Sequence, residues 1–166
     1  MMTDVLCYRV IDSPIGPLML AGDSSALRRL AFVREGMPQP DESWERDVRG
    51  TLDGVCRELD EYFAGRLSRF DTAVSPEGTP FQQRVWRALC EIPYGTTTSY
   101  GELAKTIGAE KAVRAVGAAN GANPIAIVIP CHRVIGKDGS PVGYGGGLWR
   151  KQRLLDLERG VSSLEL

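Results

Sequence analysis

The chain has one histidine, His132, in 166 residues, and its four cysteines, Cys7, Cys56, Cys90 and Cys131, stand far apart with no C-x-x-C pair. That scarcity argues against a zinc site and leaves no disulfide framework, so a reduced, cytoplasmic chain without metal or cofactor is expected. Long apolar runs are also missing. None approaches the roughly 20 residues that a membrane helix needs, and Met1-Met2-Thr3-Asp4 lacks the basic and apolar regions of a signal peptide. No membrane partner is expected, and the chain is expected to act as a monomer. Charge of one sign is not in excess, since the net value is −1. The balance is uneven along the chain, however. Residues 1–77 carry 9 Lys and Arg against 14 Asp and Glu, whereas residues 78–166 carry 11 against 7. The second part can face a polyanion while the first is acidic.

What is present is an ordinary globular composition, 43% hydrophobic and 25% charged. Apolar runs at Tyr8-Arg9-Val10-Ile11 and Leu18-Met19-Leu20-Ala21 flank a Pro/Gly turn, which predicts antiparallel strands, with a third at Leu30-Ala31-Phe32-Val33. From about Glu45, Val48, Leu52, Val55, Leu59 and Tyr62-Phe63 recur at helical spacing, and Gly65 ends the predicted helix. Pro76-Glu77-Gly78 marks a boundary. Thr79-Pro80-Phe81-Gln82 then reads as a helix start with a capping box and proline in the first turn. Ser99-Tyr100-Gly101-Glu102 opens a short helix through Ile107. Gly108-Ala109 turns the chain, and a further helix is predicted from about Glu110 to Gly121, which is helix-turn-helix spacing.

On that last helix Ala112, Val113, Val116 and Ala119 share the predicted core face. The other face holds Lys111, Arg114, Ala115, Gly117, Ala118 and Gly121, basic at one end and otherwise nearly bare. Small residues let a backbone approach a partner closely. A nucleic-acid backbone with Arg114 inserted into the duplex fits that shape, and so does packing against another helix. Downstream, the apolar run Ile125 to Ile129 reads as a short buried strand leading into Pro130-Cys131-His132-Arg133-Val134. A thiol becomes a strong nucleophile as thiolate, which needs a nearby base or positive charge. On a continuing strand Cys131 and His132 would point to opposite faces, so contact requires a turn at Pro130 or a bridging water. A bare Cys-His pair is more often a buried cysteine beside a hydrogen-bonded histidine. Gly136-Lys137-Asp138-Gly139 is a turn by composition. Gly143-Tyr144-Gly145-Gly146-Gly147 fits either a linker or a loop closing over a ligand, and a last helix is predicted over about Leu148 to Arg159. Glu158 on that helix is either a surface carboxylate or the group that orients His132.

Taken in order, Phe81-Gln82-Gln83-Arg84-Val85-Trp86, Ile92-Pro93-Tyr94-Gly95-Thr96, Ser99-Tyr100-Gly101, Arg114-Ala115-Val116-Gly117, Asn123-Pro124, Ile129-Pro130-Cys131-His132-Arg133-Val134 and Leu154-Leu155-Asp156-Leu157-Glu158 resemble the O6-alkylguanine-DNA alkyltransferases. The resemblance implies an α+β chain: a small ribonuclease-H-like α/β domain over residues 1–77, then a mostly helical DNA-binding and alkyl-transfer domain over 78–166. It implies that Cys131 accepts the alkyl group, that His132 deprotonates it through a water, and that Glu158 polarises His132. Asn123 would brace the active-site turn, and Tyr100 would hydrogen-bond the extruded guanine. Arg114 would fill the gap in the base stack, on a DNA-facing helix with Lys111, Ala115, Gly117 and Ala118. Main-chain groups of Cys131 and Val134, with Tyr144 and Gly145, would line the base pocket. The implied partner is double-stranded DNA containing O6-alkylguanine.

The chain departs from the family pattern in having Gly145 where serine is common, which removes a hydroxyl from the pocket. The structural zinc of some members is not expected with one histidine. Alkyltransferase-like proteins that bind lesions without repairing them lack the cysteine that this chain has. Two other readings remain: a lesion sensor whose Cys131 is chemically inert, and a thiol hydrolase using Cys131, His132 and Glu158.

Overall fold

The computed structural model describes residues 5–137 and 143–161. Strands β1 (Cys7–Ile11), β2 (Leu18–Gly22) and β3 (Leu27–Phe32) form an antiparallel meander, and β4 (Glu45–Arg46) adds in parallel to β1, giving the order β3-β2-β1-β4. The central strand β2 is buried along its whole length. Of its neighbours, β1 is mostly half-buried and β3 buries Leu27 and Leu30. Helix α1 (Asp53–Phe63) packs Val55, Leu59, Tyr62 and Phe63 into the core.

Residues 45–48 are not the start of that helix. Glu45 N donates to Leu6 O and Asp47 N to Tyr8 O, which pairs Glu45 and Arg46 with β1, and Val48 is 83% exposed. The Asp47 carboxylate then accepts the backbone N–H groups of Gly50, Thr51 and Leu52 and pairs with Arg9, so the chain turns before α1 begins.

Helix α2 (Pro80–Cys90) starts with the expected capping box: Thr79 accepts from Gln82 N while the Gln82 side chain accepts from Thr79 N. Val85, Trp86 and Leu89 are buried, and Trp86 Nε1 donates to Ala119 O at 2.8 Å, tying α2 to α4 (Val113–Gly121). Helix α3 (Tyr100–Thr106) is capped by Ser99 Oγ and follows the short strand β5 (Thr98–Ser99). Helix α4 starts three residues later than its spacing predicts, because Ala112 is the capping position. Lys111 therefore lies in the α3–α4 connection, exposed, and Val113 faces outward at 38% exposure.

The run 125–129 is buried but is not a strand. Ile125 makes one parallel bridge to Leu30, and residues 126–128 form turns. Cys131–Arg133 is a 3₁₀ turn, β6 (Val134–Ile135) pairs in parallel with β5, and α5 (Leu148–Arg159) ends in left-handed Gly160. Lys137 is in a turn, whereas Asp138 and Gly139 of the predicted turn lie outside the described residues. No helix among the described residues is long and apolar enough to cross a membrane.

Candidate active site

Asn123 opens the turn that delivers Cys131. Its Oδ1 accepts from Ile125 N at 3.0 Å and its Nδ2 donates to Ile129 O at 2.8 Å, spanning the turn from both ends. Inside that brace, Val128 N bonds back to Ala126 O around Ile127, whose φ is +71°. A β-branched residue in the left-handed region costs on the order of 1–3 kcal/mol and persists only where its surroundings over-determine it. Pro130, at φ −82° and ψ 63°, then makes a tight turn in which Cys131 N bonds to Ile129 O at 2.8 Å. These two sharp turns replace the predicted strand. They bring Cys131 and His132 onto consecutive positions of one 3₁₀ turn, with Cys131 7% exposed and His132 fully buried.

Behind them, Glu158 is surrounded by donors. His132 Nε2 lies 2.6 Å from Oε2, the Tyr62 hydroxyl donates to the same oxygen at 2.6 Å, and Arg133 donates from Nε to Oε1 at 2.7 Å and from Nη2 to Oε2 at 3.1 Å. Burial pushes the Glu158 carboxyl up, but His132 and Arg133 together outweigh it and hold it down at about 2. Burial lowers His132 more than Glu158 raises it, so the imidazole is neutral at pH 7. With an ionised acceptor at Nε2, the single ring proton sits on Nε2 and the Nδ1 lone pair is free. Nδ1 is buried and accepts from no protein donor among the described residues. The site therefore holds an oriented base on the residue that follows the thiol.

Cys131 opens on a cavity of about 420 Å³, lined also by Tyr100, Gly117, Asn120, Asn123 and the loop 143–146. Burial raises its thiol, while Asn123 and the Lys151 ammonium pull it back. Lys151 is fully buried on α5, and its Nζ donates to Val134 O at 2.6 Å. The Tyr144 hydroxyl faces the same sulfur without a well-formed hydrogen bond and is pushed far up, by burial first and then by Cys131. Tyr100 is raised more mildly, by burial and Cys131, with its hydroxyl towards Asn120. Its ring lies 3.7 Å from where a Cβ on Gly117 would sit.

The cavity thus gathers Cys131, Tyr100, Asn123, Tyr144, Gly145 and Gly117, with His132 and Glu158 directly behind. Val134 is not on its wall, being fully buried in β6 with its carbonyl held by Lys151. On α4, Arg114, Ala115 and Ala118 are exposed. No group of three His, Cys, Asp or Glu among the described residues is placed to hold a metal ion.

The same arrangement of elements occurs in known proteins. Residues 6–76 match the family model described as 6-O-methylguanine DNA methyltransferase, ribonuclease-like domain, and residues 80–160 match 6-O-methylguanine DNA methyltransferase, DNA binding domain. A methylated-DNA–protein-cysteine methyltransferase of Mycobacterium tuberculosis is 53% identical over 159 residues, covering 96% of each chain. The chain belongs to the 6-O-methylguanine DNA methyltransferase family. Another methylated-DNA–protein-cysteine methyltransferase, from Methanosarcina acetivorans, is 51% identical, with 91% of this chain and 97% of the relative covered. The crystal structure of M. tuberculosis OGT in complex with DNA superposes with a TM-score of 0.86 at 54% identity, over 93% of this chain and 94% of that one.

Within this methyltransferase fold, four contributors carry no sequence signal of their own. Tyr62 reaches Glu158 from α1, and Asn120 donates weakly to Cys131 O at 3.5 Å. Lys151 sits beside the thiol. Arg150 is buried, donating to Ile15 O at 2.7 Å and Gly146 O at 2.6 Å, and its guanidinium lies 5.4 Å from the Phe32 ring. Phe32 in turn meets Tyr144 edge-on at 5.8 Å. Gly146 is fixed by this contact, since a Cβ there would come within 2.6 Å of the Phe32 ring. At Gly145 a Cβ would meet nothing within 4 Å, so lack of space does not explain the missing serine.

Proposed function

We propose that this chain reverses alkylation damage in double-stranded DNA by moving the alkyl group from O6 of guanine to Cys131, once per molecule. The observation that carries the reading is Cys131 opening on a cavity sized for a base while a neutral, carboxylate-oriented His132 sits on the next residue. A base inside a duplex hides its O6 substituent, so it must be extruded, at a cost on the order of a few kcal/mol. Arg114 offsets part of that cost by entering the stack. The bare exposed surface at Ala115 and Ala118 lets α4, the second helix of a helix-turn-helix with α3, approach the backbone, and Lys111 adds a charge beside it.

In the transfer, the thiol proton passes through a water to His132 Nδ1. Sulfur attacks the sp³ carbon, an S–C bond forms as the C–O6 bond breaks, and guanine leaves with the electron pair. The Tyr100 hydroxyl donates to the departing ring, where negative charge develops. Glu158 holds the resulting imidazolium, and Asn123 keeps the sulfur in line. The thioether is stable, and none of the described residues lining the cavity is suited to cleave it. The first 77 residues form the ribonuclease-H-like domain, the rest the DNA-binding domain, and the protein works as a cytoplasmic monomer.

Incubation with a duplex containing O6-methylguanine, followed by intact and peptide mass measurement with Cys131→Ala alongside, tests this. One methyl on Cys131, restored guanine and an inert variant are expected. Tight lesion binding without mass gain would make the chain a sensor. Repeated turnover on esters or amides without DNA would make it a hydrolase.

A further inference from the structure

The N-terminal sheet reaches the cavity directly. Leu30 N donates to Pro124 O at 3.0 Å and Ala126 N donates to Leu30 O at 3.0 Å, so β3 is stitched to the turn that carries Asn123 and leads to Cys131. Leu30 points into the core at 1% exposure. Arg29, Leu30, Ala31 and Phe32 of this strand all line the cavity. Arg29 is exposed and makes no hydrogen bond or ion pair among the described residues. Its neighbour Arg28 is bound to Asp23 and Ser75, and Arg9 is bound to Asp47 and Asp53. In this acidic part of the chain, a free guanidinium stands on the same rim as Gly117 and Gly121 of α4.

We propose that Arg29 binds a backbone phosphate of the strand carrying the extruded nucleotide, which makes the N-terminal sheet part of the DNA interface. The assignment rests on the alkyl-transfer reading for its substrate. A phosphate must pass this rim if the base is to reach Cys131, and the planar guanidinium fork suits a phosphate while the pinned strand fixes its backbone.

The test compares wild type, Arg29→Gln and Arg29→Lys in two measurements. Equilibrium binding to a duplex across a salt series needs no transfer. One lost phosphate contact lowers the slope of log K against log salt by about 0.9. That corresponds to roughly three- to tenfold weaker binding by Arg29→Gln near 0.1 M salt, with Arg29→Lys keeping the slope. The rate of Cys131 alkylation by the free base O6-benzylguanine, which has no phosphate, should fall in Arg29→Gln by less than duplex binding does. Equal slopes for wild type and Arg29→Gln overturn the proposal, as does an equal loss on the free base. Failure of wild type to gain a methyl from the lesion duplex instead overturns the alkyl-transfer reading, and the salt slopes still decide Arg29.

Discussion

Replacing Glu158 by glutamine changes one atom at the centre of the buried network. The carboxylate accepts four hydrogen bonds from Tyr62, His132 and Arg133, three of them at 2.6–2.7 Å. A glutamine has one acceptor oxygen and a donor NH₂. With the NH₂ towards Arg133 Nε, two donors oppose each other and a buried guanidinium loses its counter-charge. With the NH₂ towards His132 Nε2, the ring must accept there, so its proton moves to Nδ1 and the free lone pair is lost. Breaking a buried pair by removing one partner costs about 3–5 kcal/mol. Because the amide keeps an acceptor, about 3 kcal/mol is expected, a fall in melting temperature of about 6–12 °C.

The rate should fall further than stability alone explains. A positioned base contributes about 10²–10⁴-fold, and burial already raises the Cys131 thiol. Transfer by Glu158→Gln at pH 7 should slow at least about 100-fold and should keep rising with pH, since the thiolate must then form without help. Methyl gain on Cys131 by quenched-flow mass measurement, below the variant's melting transition, reads this. A variant that melts early yet transfers within about threefold of wild type would refute the base assignment and leave Glu158 a structural group.

Other perturbations follow from the same geometry. Lys151→Met removes the ammonium that lowers the Cys131 thiol, so transfer should slow about tenfold, while stability moves little because losing the bond to Val134 O opposes relief of a buried charge; an unchanged rate would confine Lys151 to packing. Gly146→Ala places a Cβ against the Phe32 ring and should cost about 1–3 kcal/mol, seen as a lower denaturant midpoint, together with slower alkylation by free O6-benzylguanine. Acid should weaken the fold in two stages. The unfolded chain protonates its histidine near 6.5 while native His132 resists, so stability falls as pH drops below about 6.5. It falls again from about 4.5 towards about 2 as Glu158 is titrated. A urea midpoint that rises between pH 6.5 and 5 would contradict the buried neutral imidazole.

Local chemistry made some elements readable. Thr79, Pro80 and Gln82 satisfy the α2 start among themselves, and Gly160 ends α5, so neither needs tertiary information. Glu45 and Arg46 are strand only because β1 offers an edge nearly forty residues earlier. The apolar run before Cys131 is buried as expected, but burial alone does not separate a strand from turns, and the positive φ at Ile127 has no compositional signature. Cys131, His132 and Glu158 were visible through their residue types and motif order. Tyr62 was visible only as core. Arg150 and Lys151 carry no sequence signal, because partners such as Ile15 O and Val134 O lie elsewhere in the sequence.

Those distant partners give residues 1–77 a physical role in the site. Tyr62 on α1 supplies one of the short bonds to Glu158, across 96 residues. Arg150 bridges Ile15 O, between β1 and β2, to Gly146 O on the cavity loop, and Phe32 holds Tyr144 beside the sulfur. Strand β3 holds the strained turn through Leu30. A C-terminal part folded alone would keep Cys131, His132 and Glu158 but would expose the carboxylate, free the cavity loop and leave Ile127 less constrained. Each change raises the barrier to transfer by a separate route: solvent at Glu158 weakens its hold on His132, a loose loop enlarges the pocket, and a relaxed turn moves the sulfur. The acidic N-terminal part thus fixes the geometry of a thiol site carried by the rest of the chain.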